Sequence, residues 1–309
     1  MRVMLIANPS AGQGKVRWIA GLTQSALERC GAEVTLVLTG GSRDAAEAAH
    51  YAVRSHRFDR IVVAGGDGTI NQVVGQVAHT SVPMAVLPLG TANSLARELR
   101  LPFNLIQAAR IAIEGPVIAV DIGRLRDSYF LLEVSAGFDA AVVCSVEKAQ
   151  KRWLGPGAYV FNALSLLRKH TPFQVTCIAD GVEIRASCNV VLGCNTATYA
   201  YGVRLASQAS LTDGLLDLCI FHAQDHSFVA QVGAALRNHL GPRVGAHTIQ
   251  ARKIRIESDP IVLVQMDGDP AGETPVEIEC VPQALNMVVS ARYARRMLKR
   301  VGDNRLVQG

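Results

Sequence analysis

No Cys-x-x-Cys pair occurs among the seven cysteines of this 309-residue chain, and their number is odd. That pattern argues against a disulfide framework and for free thiols in a reducing compartment. No stretch reads as a bilayer helix, which needs about twenty predominantly apolar residues. The uncharged run from Ala186 to Val203 is interrupted by Asn189, Gly193, Asn195 and Thr196. A secretory signal is not expected either, because the first apolar run ends at Asn8-Pro9. These features point to the cytoplasm. Aromatic residues make up only 5%, and the basic C-terminus interleaves a single one, Tyr293, with its arginines, fewer than a nucleic-acid surface would, so nucleic acid is not an expected partner. Two familiar phosphate-binding fingerprints are missing as well: Gly-x4-Gly-Lys-Ser/Thr and Gly-x-Gly-x-x-Gly. No internal repeat and no low-complexity segment is found.

What is present is a chain with 49% hydrophobic and 18% charged residues, long enough for two domains. Its first part alternates apolar, β-branched runs with helical patterns. Strands are expected at Val3–Ala7, Glu33–Leu38, Arg60–Ala64 and Met84–Leu87, and helices at Lys15–Cys30, Arg43–Ser55, Ile70–Ala78, Ala92–Leu99 and Leu105–Glu114. Continuously apolar strands separated by helices imply a parallel sheet covered on both faces, with ligands beyond the carboxyl ends of the strands. Near Asp121 the pattern changes. Strands are expected at Val117–Leu125, Tyr129–Ser135, Phe173–Ala179, Glu183–Leu192, Leu216–Phe221, Thr248–Ser258, Ile261–Gln265, Thr274–Cys280 and Leu285–Ser290. Helical patterns interrupt at Asp139–Lys151, Tyr159–Lys169 and Ser227–Asn238. The fold class is therefore two-domain: an N-terminal α/β domain with a parallel sheet, and a C-terminal antiparallel β-sandwich with inserted helices.

The stretch Gly65-Gly66-Asp67-Gly68-Thr69 follows the strand-like Ile61-Val62-Val63-Ala64 and leads into a helical pattern, not into a second alternating strand. Glycines let the backbone approach a ligand closely, and successive N–H groups before a helix form an anion site. The amides of Gly66, Gly68 and Thr69 and the Thr69 hydroxyl are expected to face phosphate. Asp67 adds a carboxylate suited to a metal carried by a nucleotide. A tight Asp-Gly hairpin is the competing reading. The loop motifs Asn8-Pro9-Ser10-Ala11-Gly12-Gln13-Gly14-Lys15 and Pro88-Leu89-Gly90-Thr91-Ala92-Asn93 follow the first and fourth strands, at the same edge.

With Leu211-Thr212-Asp213-Gly214-Leu215 and Met266-Asp267-Gly268-Asp269-Pro270, these segments resemble the diacylglycerol kinase-type lipid kinases of bacteria, relatives of sphingosine and ceramide kinases. The resemblance runs from Asn8 to about residue 290. It implies ATP as phosphoryl donor, Mg²⁺ as cofactor, a fold similar to NAD kinase in the first domain, and a lipid hydroxyl as acceptor, diacylglycerol before ceramide or a sphingoid base. Nucleotide contacts are implied for Asn8, Pro9, Ser10, Ala11, Gly12, Thr39, Gly65, Gly66, Asp67, Gly68, Thr69, Ile70, Asn71 and Thr91. Asp269 takes the place of the family's base, with Asp67 as the alternative base. A second, structural metal is implied at Asp213 with the carbonyls of Ser210 and Leu215. The domains implied are residues 1–121, with 288–309 packing back, and 122–287. Two departures stand out: Asp269 where the family has glutamate, and Ser94 where it has aspartate after Asn93, which gives Asp121 more weight in the metal network.

Other features stay open between two readings. Lys15 is a phosphate lysine or a solvated first-turn lysine. Asp267-Gly268-Asp269 is the base-bearing element or a plain hairpin turn. The segment Trp153–His170 is a lipid entry surface, apolar with cationic ends, or a core helix. His222 and His226 have helical spacing for zinc, but no third ligand is evident. The last nineteen residues carry Arg292, Arg295, Arg296, Lys299, Arg300 and Arg305 against Asp303, the whole of the net +5. Such a tail either lies on an anionic membrane surface, giving peripheral attachment at its inner face, or is a solvated helix end. An NAD kinase would need further dinucleotide contacts in the second domain, and none is found. A non-catalytic lipid-binding protein and a homodimer both remain open.

Overall fold

A computed structural model describes residues 1–8, 16–41, 43–145, 171–199, 202–223 and 246–297. The first half carries β1 (Arg2–Ala7), α1 (Val16–Arg29), β2 (Glu33–Leu38), α2 (Asp44–Ser55), β3 (Arg60–Gly65), α3 (Asp67–Val77), β4 (Met84–Pro88), α4 (Ser94–Glu98) and α5 (Leu105–Glu114). The four strands are parallel in the order β4-β3-β1-β2. Side chains alternate across a strand, and here both faces are apolar. Met4 and Ile6 of β1, Ile61 and Val63 of β3, and Met84 and Val86 of β4 meet Ala49 of α2 and Val73 of α3. Val3, Leu5, Val62, Ala64, Ala85 and Leu87 meet Leu27 of α1 and Ala112 of α5 on the other side. Each large aliphatic side chain so buried contributes about 1.5–3 kcal/mol relative to exposure, so the sheet is a rigid base for the loops at its carboxyl edge.

The second half holds β5 (Val117–Leu125), β6 (Ser128–Phe130), β7 (Glu133–Gly137), α6 (Phe138–Ser145), β8 (Phe173–Ala179), β9 (Val182–Cys194), β10 (Leu216–His222), β11 (Ala246–Ala251), β12 (Lys253–Asp259), β13 (Leu263–Met266), β14 (Asp269–Glu273) and β15 (Val276–Val288). Its pairings are antiparallel. They enclose a second core that includes Val134, Val175, Val191, Leu218, Ile254 and Ile278. The strand β15 joins the halves, antiparallel to β12 and β5 and parallel to β4 at Met287 and Met84. The described strands therefore form one fifteen-stranded network. Helical residues 291–297 return to the first core, where Tyr293, Ala294 and Met297 are buried.

Several boundaries differ from the sequence expectation for identifiable reasons. The expected strand Tyr129–Ser135 is broken because Leu131 and Leu132 give their N–H groups to the side chain of Asp267 at 2.7 and 2.9 Å. The expected strand Thr248–Ser258 breaks at Arg252, where Asp180 accepts the Arg252 and Lys253 amides at 2.9 Å each. The two strands expected across Thr274–Ser290 are one strand with a register shift between Val281 and Leu285. β14 was not expected, since Pro270 and Gly272 lower strand propensity, and it lies at a sheet edge, where proline is tolerated. The expected helices Tyr159–Lys169 and Ser227–Asn238, the Trp153–His170 segment and His226 lie outside the described residues.

Candidate active site

Three loops at the carboxyl edge of the parallel sheet are pinned together. The Asn8 amide donates to Ala64 O at 3.1 Å, Leu89 N to Gly65 O at 3.1 Å, and Thr39 N to Ala7 O at 2.9 Å. Glycine is required where the loops cross. A Cβ on Gly90 would stand 2.4 Å from Gly66 Cα, and one on Gly65 would stand 2.9 Å from the Thr69 hydroxyl. Asn93, in the left-handed region with φ 49, closes the β4 loop on itself. Its side-chain oxygen accepts Gly90 N at 2.8 Å and its Nδ2 donates to Gly90 O at 2.8 Å.

Asp67 is the first residue of α3, and Gly66 is its N-cap. A hairpin at this motif is thereby excluded. The Asp67 carboxylate accepts the amides of Ser94 and Leu95 at 3.0 and 3.2 Å, which open α4. It thus caps a neighbouring helix and locks the β3 and β4 loops together, a role that sequence reading missed. Ser94, which replaces an acid of the family, takes part through its backbone. The Thr69 amide, expected to face phosphate, donates instead to Gly66 O at 3.0 Å, and the Thr69 hydroxyl accepts Asn8 Nδ2 at 3.0 Å. The Gly68 amide belongs to the first helical turn, whose N–H groups lack intrahelical acceptors. Ile70 is committed to the core, Thr39 is buried, Asn71 is half-buried and Thr91 is exposed. Pro9, Ser10, Ala11, Gly12 and Lys15 lie outside the described residues.

The second half brings its own carboxylates to this place. Asp267 and Gly268 are the two-residue turn of the β13–β14 hairpin, with φ 49 and 86 and Met266 paired with Asp269 across it. Positive φ at both central positions is the signature of a type I′ turn. The buried Asp267 carboxylate accepts Leu131, Leu132 and Glu133 amides at 2.7, 2.9 and 3.0 Å. Burial pushes its carboxyl up to about 6 against those donors, with the charge of Asp67 adding to the rise. Glu133 is held well above the usual carboxylate range by burial and by the negative charges of Asp267, Asp139 and Asp67. The charge of Asp67, from the other half of the chain, is thus felt at Asp267 and Glu133 as the smallest of the contributions there. Gln265 ties the hairpin down, accepting Gly268 N at 2.7 Å and donating to Ser135 at 2.9 Å and Asp139 at 3.0 Å. Tyr199 also donates to Asp139. Glu133, Asp139 and Gln265 were missed from sequence, though a lone acid in Phe130-Leu131-Leu132-Glu133-Val134 was a signal. Asp269 is exposed at the start of β14.

Asp213 lies elsewhere. It is pushed up to about 6 by burial and by the charges of Asp217 and Asp121. Asp121, given weight in the metal network, is placed here, accepting Gly214 N at 2.7 Å and Gln283 N at 2.8 Å. Ser210 is buried, its hydroxyl 3.3 Å from that of Thr212, and Leu215 N donates to Asp213 at 3.1 Å. Among the described residues no three His, Cys, Asp or Glu side chains converge on a metal position. A cation beside Asp213 would thus rely on backbone carbonyls and water, a donor set that fits a hard ion.

Both halves of the chain match known protein families. Residues 2–125 match the family described as the diacylglycerol kinase catalytic domain. Residues 132–289 match the YegS C-terminal NAD kinase beta sandwich-like domain. A diacylglycerol kinase of Mycobacterium tuberculosis is 29% identical over 93% of this chain and 94% of its own. A probable YegS-like lipid kinase of Chromohalobacter salexigens is 31% identical over 91% of each. The crystal structure of a putative diacylglycerol kinase from Bacillus anthracis superposes with a TM-score of 0.80 at 23% identity, covering 94% of this chain and 96% of that one. The chain belongs to the bacterial diacylglycerol kinase-type family and is a lipid kinase.

Proposed function

We propose that the chain transfers the γ-phosphate of ATP to the hydroxyl of diacylglycerol, giving phosphatidic acid and ADP. The observation that supports this most is that the charge of Asp67, from the glycine loops, is felt at Asp267 and Glu133, from the second half. A phosphoryl group held on one side would there face an acceptor presented from the other. Residues 1–121 with 288–309 are the nucleotide domain in this reading, and 122–287 the lipid domain. The names of the relatives from M. tuberculosis and Bacillus subtilis, both diacylglycerol kinases, support the choice of acceptor.

Loops Asn8–Gly12, Gly65–Gly68, Asn71 and Thr91 hold the nucleotide, and the buried Thr39, Thr69 and Ile70 support those loops from beneath. Asp67 would hold Mg²⁺ through the lone pairs left by its two amide donors, since each carboxylate oxygen accepts about two hydrogen bonds. When bound, the ion would offset the negative charge of the phosphates. The lipid oxygen forms the new bond to phosphorus, the bond to the β-phosphate oxygen breaks, and Asp269 takes the hydroxyl proton. Asp267 is a positioning residue that anchors the hairpin carrying Asp269. Burial and the charges of Asp267, Asp139 and Asp67 make Glu133 hold its proton more tightly than an ordinary glutamate. Asp213 with the Ser210 and Leu215 carbonyls holds a structural cation. The enzyme works at the inner membrane surface, where its acceptor resides.

Purified protein, labelled ATP and a panel of diacylglycerol, ceramide, sphingosine and NAD would test the reading. Labelled phosphatidic acid is expected. Labelled NADP, or no product, overturns it.

A further inference from the structure

A polar cavity of about 200 Å³ lies between α4, Thr198, Gly202 and Arg204, and helical residues 291–297. Four of its lining side chains are arginines: Arg97, Arg100, Arg204 and Arg296. The acid among them, Glu98, is already occupied, because it accepts the Thr198 amide at 3.1 Å and the Thr198 hydroxyl at 2.6 Å. Among the described residues no ion pair reaches Arg97, Arg100 or Arg296. Arg97 is held in place by a 3.0 Å hydrogen bond to Ala92 O and by stacking over Phe103 at 4.8 Å. The site is thus built, not a chance meeting of mobile side chains.

We propose that this pocket binds a phosphate group, from a phospholipid headgroup or from free phosphate. Guanidinium forks match phosphate oxygens in bidentate geometry, and three chain segments bring arginines to line one space several water volumes in size. The arginines also oppose one another: Arg100 binds its proton less tightly than usual, chiefly because of Arg296, then burial and Arg292 and Arg204. A bound dianion removes that repulsion. The inference is independent of the phosphoryl-transfer reading, since none of these side chains is assigned to nucleotide or acceptor.

The test compares wild type with Arg100→Gln/Arg204→Gln, which leaves the basic tail intact, and with a charge-matched control, Arg54→Gln/Arg252→Gln, whose residues line neither the pocket nor the tail. One arm measures stabilisation by inorganic phosphate in thermal melts; binding to the native state raises the melting temperature with concentration. The other measures co-sedimentation with phosphatidylcholine vesicles containing phosphatidic acid. The pocket variant should bind at least about tenfold more weakly than the control, as losing charged hydrogen bonds implies. A difference in the phosphate arm alone identifies free phosphate, and a difference in the vesicle arm alone identifies a lipid headgroup. Equal behaviour of the two variants in both arms overturns the proposal. The pocket variant should melt no lower than wild type in phosphate-free buffer. If it fails to fold, Arg100→Lys keeps the charge but loses the fork, and undiminished phosphate and vesicle binding by that variant overturns the proposal.

Discussion

Asp269 and Asp267 stand two residues apart on one hairpin and do different things. Asp267 is buried and gathers three amides, whereas Asp269 is exposed and free of such a structural commitment. Asp269→Asn keeps the size and cannot accept a proton, so kcat should fall by roughly 10² to 10⁴ while ATP affinity holds. Asp269→Glu should support comparable activity, because the exposed position leaves room for the longer acid. Steady-state kinetics on the true acceptor decides, and an Asn variant near the wild-type rate removes Asp269 from the mechanism. Asp213 makes a pH prediction. Its folded carboxyl is pushed up to about 6 from an ordinary 3.8, so the native state holds this proton more tightly than the unfolded chain does. The stability from this group is present below about pH 4 and is lost as pH rises through 6. In metal-free buffer Asp213→Asn should therefore melt higher than wild type at pH 7.5 and similarly at pH 4. Mg²⁺ should stabilise wild type and not the variant. Thermal melts unaffected by Mg²⁺ in both proteins would remove the second cation.

At the scale of elements, the β3–α3 and β4–α4 connections act as a unit. Asp67→Ala removes the cap of α4 as well as the proposed Mg²⁺ contact. It should lower turnover below a tenth of wild type, by several powers of ten if both roles hold. Loss of a capping side chain typically removes about 0.5–2 kcal/mol of stability, so the protein should stay folded with a modest drop in melting temperature. Two glycines separate packing from ligand approach. A Cβ on Gly90 meets Gly66 backbone at 2.4 Å, whereas one on Gly68 meets nothing within 4 Å. Gly90→Ala should destabilise by about 1–3 kcal/mol, the scale of overpacking. Gly68→Ala should leave melting unchanged or slightly raised and weaken ATP binding. Unchanged ATP affinity in that variant would mean that Gly68 is not where the backbone meets phosphate.

The whole molecule is organised by β15 and by the helix that follows it. Because β15 hydrogen-bonds to β12, β5 and β4, the two halves share a sheet and are joined by continuous backbone. Tyr293, Ala294 and Met297 are buried in the first core, while Arg292 and Arg295 point outward. Deleting the C-terminus would therefore remove packing together with charge. Neutralising Arg295, Arg296, Lys299 and Arg300 to Gln is the cleaner change. At about 1 kcal/mol per basic residue near an anionic surface, it should sharply reduce co-sedimentation with anionic vesicles at low salt; unchanged binding leaves the tail a solvated helix end. Among the described residues no helix is long and apolar enough to cross a membrane, and no disulfide joins any of the seven cysteines.

Much of this was legible in the order of residues. Continuous apolar runs such as Val3-Met4-Leu5-Ile6 and Ile61-Val62-Val63-Ala64 specify buried parallel strands, because both faces of each strand must be covered. The glycines at 65, 66 and 68 mark a loop before a helix, because their conformational freedom is local. Other features had no local cause. The acceptor of the Leu131 amide is Asp267, 136 residues away, so the break between β6 and β7 was invisible in a run of apolar residues. Asp121 and Asp213 became neighbours, Asp67 became the cap of a helix 27 residues on, and arginines from three segments came to line one cavity. Periodicity and turn chemistry act over a few residues. Hydrogen-bonded carboxylates, coupled acids and converging cations depend on which distant segments the cores bring together.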